Sequence, residues 1–382
     1  MSTVTSSAID TARIDYNPDD GLLRGLLIEG QRINSLLDKR DLSGGAWTAI
    51  NAPTITQDQP GIDRVANKAW TVTDDSATLS EYLTQSITVP DNSNMHVVSI
   101  YIKKTSATQY CGFRLTLTGG TPVGDGAGDV FLAPSNGAKA TTDTDIDLHE
   151  VHDAGDYWRL IGGITNNTTG NVTLQVLIVP AGNTDGSANQ DVATTGSMIY
   201  DWGQVELNAK FASSPIPDGV GAVTRAADNV TSTITGGMPA EWSVVFDGTT
   251  APGTEPQRMF AYGNGTANNR LIINRVENNR NMSLVSVVGG SLTINNQVFS
   301  SDFPDLSAIK VALAVVGGNV RVSINGGAVQ VFAGEVASST FTARYVGRYE
   351  ITNQWQWGGW IKNFTEYHRP LSDAELIAAS TL

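Results

Sequence analysis

Apolar residues recur at every second position over short stretches, and the stretches are broken by Gly, Asn, Asp and Thr. Period-two alternation punctuated by turn residues predicts strands. In the first half, 95–102, 113–117, 158–161 and 172–179 read as strands. Gly/Asp/Asn-rich loops at 118–129 and 181–197 separate them. In the second half, 242–246, 270–273, 283–287, 310–315 and 320–324 follow the same pattern. The turns Val316-Gly317-Gly318-Asn319 and Asn325-Gly326-Gly327 are hairpin signals, so 311–331 predicts a meander of three strands. Residues 21–40 are open between strand and helix, although Gly21, Gly25 and Gly30 weaken a helix. Ser372 followed by Glu375 is a capping box and predicts a short C-terminal helix.

Composition agrees with an all-β chain. Apolar residues make up 40% of the 382, enough for packed cores, and charged residues only 16%, below the usual quarter. The length suits two domains or three. The net charge of −14 repels phosphate backbones, which excludes general nucleic-acid binding. No run of about 18 apolar residues predicts a membrane span, and Met1–Ser7 has neither the basic nor the apolar region of a signal peptide. Cys111 is the only cysteine, which leaves no intrachain disulfide; its strand context predicts a small buried side chain.

Two sets of motifs frame the first part of the chain. The opening set is Ala12-Arg13-Ile14-Asp15-Tyr16-Asn17-Pro18 with Gly25-Leu26-Leu27-Ile28-Glu29. The closing set is Trp202-Gly203-Gln204-Val205-Glu206 with Val223-Thr224-Arg225-Ala226-Ala227-Asp228. Between them stand Ala46-Trp47-Thr48 and Gly155-Asp156-Tyr157-Trp158-Arg159. Together they resemble the carbohydrate-binding-module-like jelly roll of bacteriophage tail-fibre and head-fibre proteins, although the last motif inverts that family's aromatic order and lacks its second glycine. Near the C-terminus, Gly359-Trp360-Ile361-Lys362-Asn363-Phe364 and Arg369-Pro370-Leu371-Ser372-Asp373-Ala374-Glu375-Leu376 resemble the end of a concanavalin A-like, laminin-G-type domain.

The resemblances imply a fold of two antiparallel β-sandwich or jelly-roll domains in tandem. A short N-terminal arm (1–20) precedes a first domain (21–234) and a second (235–382) that ends in a helix. They imply a structural component of a virion, a fibre, spike or decoration protein on the particle surface. The expected partners are other capsid or tail proteins through the N-terminal region, host-surface polysaccharide, and copies of the chain itself, a trimer foremost. Two alternatives stand beside this: a decoration protein without sugar affinity, and a polysaccharide-degrading glycoside hydrolase.

Candidate chemistry is sparse. Asp145-Ile146-Asp147-Leu148-His149-Glu150 approximates the glucanase signature Glu-x-Asp-x-x-Glu. Retaining glycosidases hold two carboxyls about 5–5.5 Å apart, whereas strand positions five apart point to opposite faces. Alternating Asp143, Asp145 and Asp147 suit a solvated face, so no catalytic residue is assigned. Asn183, Asp185, Asn189 and Asp191 lie around Gly186 at a calcium-loop-like spacing, and Gly124–Asp129 is a weaker echo; a structural Ca²⁺ is the one cofactor considered. The four histidines lack zinc spacing. For sugar binding, Gln354, Trp355, Gln356, Trp357 and Trp360 form the densest aromatic and amide cluster. On a strand, Trp355 and Trp357 share a face, either an exposed platform for pyranose rings or core packing. Trp47, Trp158 and Trp202 are assigned to cores.

Overall fold

The computed structural model describes residues 14–16, 23–124, 126–141, 143–182, 194–219, 221–250, 257–276, 280–348 and 356–382. The protein is all-β with antiparallel sheets and one short C-terminal helix. Its contacts divide it into two units.

The first unit, Arg32–Arg225 in its main segment, is a two-sheet sandwich. One sheet has five strands in the order Gly128–Leu132, Tyr110–Thr118, Thr173–Gly182, Tyr82–Thr88, Thr48–Ile50. The other has six, in the order Leu148–Ala154, Tyr157–Thr165, Met95–Lys103, Gly196–Glu206, Ala69–Asp74, Thr54–Gln59. The alternation read from the sequence sends Phe113, Leu115, Val176 and Ile178 of one sheet, and Val98, Ile100 and Leu160 of the other, into one core, which Val72 joins from a strand not read in the sequence. Cys111 lies in this core, and burial pushes its thiol pKa up.

The second unit comprises Leu22–Gln31 and Ala226–Leu382, with Ser7–Asn17. Its seven-stranded sheet runs Ile14–Tyr16, Leu23–Leu27, Trp360–Tyr367, Trp242–Thr249, Ala308–Val316, Asn319–Ile324, Gln330–Ala333. Its six-stranded sheet runs Val230–Thr233, Ala343–Val346, Gln257–Gly263, Arg270–Arg275, Met282–Val288, Ser291–Ser300. The three-strand meander forms as read. Gly317 and Gly318 have φ of +56° and +74°, the left-handed pair that a two-residue hairpin needs. The helix Asp373–Ser380 carries the full capping box on Ser372 and Glu375, and Leu371 and Leu376 pack beneath it against Val245, Ala312 and Ala314. Ser372→Ala removes an N-cap acceptor, so thermal denaturation should register a loss of about 1 kcal/mol from this unit.

The chain divides differently from the boundaries read in the sequence. Ile14–Tyr16, placed in an arm, is a strand paired with Leu23–Leu27. The latter, placed in the first domain, pairs Leu26 with Ile361 and Leu27 with Trp360. The second unit is therefore discontinuous in sequence, and the first runs between its two pieces. Gly25 makes the pairing possible. A Cβ there would sit 2.4 Å from the Ile361 carbonyl oxygen, and its φ is +123°.

The framing motifs act as clasps. Within the second unit, the Glu29 amide donates to the Asp228 carboxylate (2.7 Å) and the Asp228 amide to the Glu29 carbonyl (2.9 Å). Within the first, Arg32–Asn34 pairs with Val223–Arg225. The Asn34 side chain donates to the Gly203 carbonyl (3.0 Å) and accepts from the Val205 amide (2.9 Å), filling the irregularity between Asp201 and Gln204. Trp202 sits there with φ +45°, a strained value for a bulky residue. Its indole is held by the Ile216 carbonyl at 3.1 Å and by the Arg40 guanidinium 4.6 Å over the ring. Glu29, Trp202, Gly203, Val205 and Asp228, which carried the family resemblance, thus have structural roles.

Candidate functional site

Trp357 and Gln356 do not form the exposed sugar platform expected of their cluster. Trp357 is fully buried and donates its indole N–H to the Thr249 carbonyl (2.9 Å). It packs edge-on against Phe246 at 5.5 Å. It also precedes the strand Trp360–Tyr367 instead of lying on it, with Gly358 at φ +70° between them. Gln356 is buried as well. Trp360 is half-buried under Arg24, whose guanidinium lies 5.1 Å over the ring. Gln354 and Trp355 lie outside the described residues.

The acidic stretch 143–150 resolves into structural roles. Asp145 is buried in a turn before the strand Leu148–Ala154 and accepts from the Gly126 amide at 3.2 Å. Glu150 lies on that strand, exposed and bonded to His152 at 2.9 Å, which holds its carboxyl pKa down. Asp143 and Asp147 accept from the amides of Asp145 and Thr165. The alternating aspartates therefore cap turns and strand ends and do not form a solvated face. Asn183, Asp185, Asn189 and Asp191 lie outside the described residues. Among the described residues, no group of three or more His, Cys, Asp or Glu is placed to hold a metal. Trp47 and Trp202 are buried, and Trp158 is half-buried against the core.

The remaining surface of interest is the outer face of the five-stranded sheet in the first unit. Strand registers place Thr118, Thr173 and Thr88 in one row, and Thr116, Gln175 and Ser86 in the next. Asp129, Arg114, Leu177, Thr84 and Thr48 form a third. Beyond it lie Phe131, Val179 and Tyr82, with Tyr110 at the border, packed as a small apolar cluster. The face is thus polar at one end and apolar at the other. Thr84, Thr116, Thr118, Thr173 and Gln175 are half-buried, and Ser86 and Thr88 exposed. None of these side chains makes a hydrogen bond to another described residue. Arg114 and Asp129 form a bidentate pair at 2.7 and 2.8 Å.

The outer face of the six-stranded sheet is different, because its middle strands are covered around Trp202 and Gln204. Arg40 reaches Asp201 through Nε (2.7 Å) and Nη2 (2.8 Å), and Asp63 through Nη1 (2.7 Å). Asp201 also accepts from the Ile62 amide (2.7 Å). The loop around Asp63 is thereby tied over Tyr101, Tyr157 and Trp202. Further along, Gln204 and Glu206 accept from the amides of Ile216 and Ser213, both at 2.8 Å, which fastens 211–216 down. Sequence reasoning missed the open face. Its signal was faint: Thr, Ser and Gln at alternate positions of three strands far apart in sequence.

No family model and no curated protein matches the chain. Among solved structures, it is similar to the CBM40 of the Ruminococcus gnavus IT-sialidase bound to alpha2,3 sialyllactose, at 18% identity over 37% of this chain and 84% of that one, TM-score 0.33. It is similar to a toad ovary galectin in complex with thio-digalactose, at 16% identity over 37% of this chain and 99% of that one, TM-score 0.27. Domains LG4-5 of the mouse laminin alpha1 chain give 8% identity over 80% and 91%, TM-score 0.27. All three TM-scores lie below 0.5, and no function follows from them.

Proposed function

We propose that the protein is a non-catalytic structural component of a bacteriophage virion. In this reading it is displayed on the particle as a fibre, spike or decoration protein and binds host-surface polysaccharide through the outer face of the five-stranded sheet. The virion role rests on the motif resemblance. The binding role rests on one observation: a field of hydroxyl and amide groups on rigid strands, solvent-accessible and without partners among the described residues. Polar groups that converge on a rigid surface are what a sugar's hydroxyls require. Each threonine also sets a methyl beside its hydroxyl, matching the mixed C–H and O–H faces of a pyranose. Attachment through the N-terminal region and assembly as a trimer belong to the same reading.

A purely structural role is the second reading. In its favour, every described Trp, Tyr and Phe side chain is buried or half-buried, so a bare stacking platform is missing among the described residues. A polysaccharide array separates the two. The intact protein should bind at least one bacterial surface glycan, and Thr84→Val/Ser86→Ala/Gln175→Ala should weaken binding about tenfold or more, from the loss of about three modest hydrogen bonds. Binding that survives the triple substitution unchanged would move the site elsewhere. No binding by the intact protein would favour the structural reading.

A further inference from the structure

We infer that the ligand of this face is an uncharged polysaccharide. The inference rests on the glycan-binding reading above and deepens it. Among the described residues, the polar rows contain Thr, Ser and Gln and only two charged side chains, Arg114 and Asp129. Those two face each other in the register and satisfy each other through two parallel hydrogen bonds. Asp129 is almost completely buried, so its carboxylate stays with Arg114 unless the ligand displaces it. To recruit Arg114, the one cation of these rows, a carboxylated or sulfated sugar would have to break this bidentate pair at a buried carboxylate, a costly exchange. It would also approach a chain of net charge −14. A neutral chain meets neither obstacle. It needs donors and acceptors in equal supply, and Thr, Ser and Gln offer both. The rows continue across three paired strands, so an extended polymer can engage several rows at once, and affinity should rise with chain length.

The test is calorimetric titration of the intact protein with two sets of polymers. Dextran, mannan and galactan are the neutral probes, and polygalacturonate and polysialic acid the acidic ones. The expected result is binding of at least one neutral polymer, with affinity changing less than about twofold between about 50 mM and 500 mM NaCl, because no net charge is being screened. The acidic polymers should bind at least tenfold more weakly. Asp129→Asn, close to isosteric, removes the carboxylate charge that Arg114 grips. It should raise affinity for the acidic polymers and make that gain salt-sensitive. Binding of acidic polymers alone by the unaltered protein, lost at high salt, would overturn this inference and leave the glycan-binding reading standing. Absence of binding by both sets, together with no binding on the polysaccharide array, would overturn the reading itself.

Discussion

Arg40→Ala should cost the first unit about 3–5 kcal/mol, the penalty for stranding a buried charge. Asp201 is fully buried and is held by the Arg40 guanidinium through two hydrogen bonds, with the Ile62 amide as a further donor. Burial alone would lower the Arg40 pKa; the hydrogen bonds to Asp63 and Asp201 outweigh it and hold the pKa above its ordinary value. The same guanidinium lies over Trp202 at 4.6 Å, so the substitution also removes a support for that strained backbone. Arg40→Lys should recover less than half of the loss. An ammonium cannot span two carboxylates and an indole face in fork geometry. The measurement is urea denaturation followed by tryptophan fluorescence, with Arg40→Ala/Asp201→Ala as the control. If the partners act as a pair, the double variant loses clearly less than the sum of the single losses. Additive losses would mean that the network only fills space. Polysaccharide binding should survive wherever the variant is folded, since Arg40 belongs to the covered face and not to the open one.

Local structure was legible and long-range pairing was not, for reasons visible in particular residues. The Val316–Asn319 turn and the Ser372–Glu375 cap are decided by neighbours within four positions, and both form as read. The strand Leu23–Leu27 is decided by Ile361 and Trp360, at the other end of the chain. Nothing near Gly25 shows that its missing Cβ accommodates a distant carbonyl. Trp357 misled for a related reason. Three tryptophans beside two glycines look too crowded for a core, yet Gly358 turns the chain so that one indole drops against Phe246. The polar face was hidden by register. Thr116, Gln175 and Ser86 are ordinary alternate positions of three separate strands until pairing sets them in one row. The framing motifs were visible from the start, but their chemistry is that of clasps. Gln204, Glu206 and Asp228 use their polar atoms on the protein's own backbone.

The first unit should lose stability between pH 6.5 and pH 4 through two buried histidines. His96 is fully buried, and its Nδ1 accepts from the Asn208 amide at 3.3 Å. A proton on Nδ1 would oppose that N–H. His149 is buried with Nε2 at 3.1 Å from the Phe131 carbonyl, and Lys139 donates to the His149 carbonyl. Burial lowers both pKa values to about 4, with Lys139 adding to the effect at His149. The unfolded chain takes up these protons near pH 6.5 and the folded chain only near pH 4. Their contribution is therefore complete above 6.5 and drains away as pH falls to about 4. A gap of one pH unit between the folded and unfolded pKa is worth about 1.4 kcal/mol, so each histidine removes on the order of 3 kcal/mol by about pH 4. Asp63, whose pKa Arg40 holds down against the effect of burial, begins to act only below this window. Asp74 and Asp201, raised by burial, act with the opposite sign. The decisive quantity is thus the difference between the intact protein and His96→Asn/His149→Gln. These replacements keep the Nδ1-like acceptor at 96 and the Nε2-like donor at 149 without a titrating ring. Chemical denaturation at about pH 7, 5.5 and 4.5 should show a markedly shallower fall in the double variant. Equal slopes would assign the acid sensitivity to the carboxylates instead.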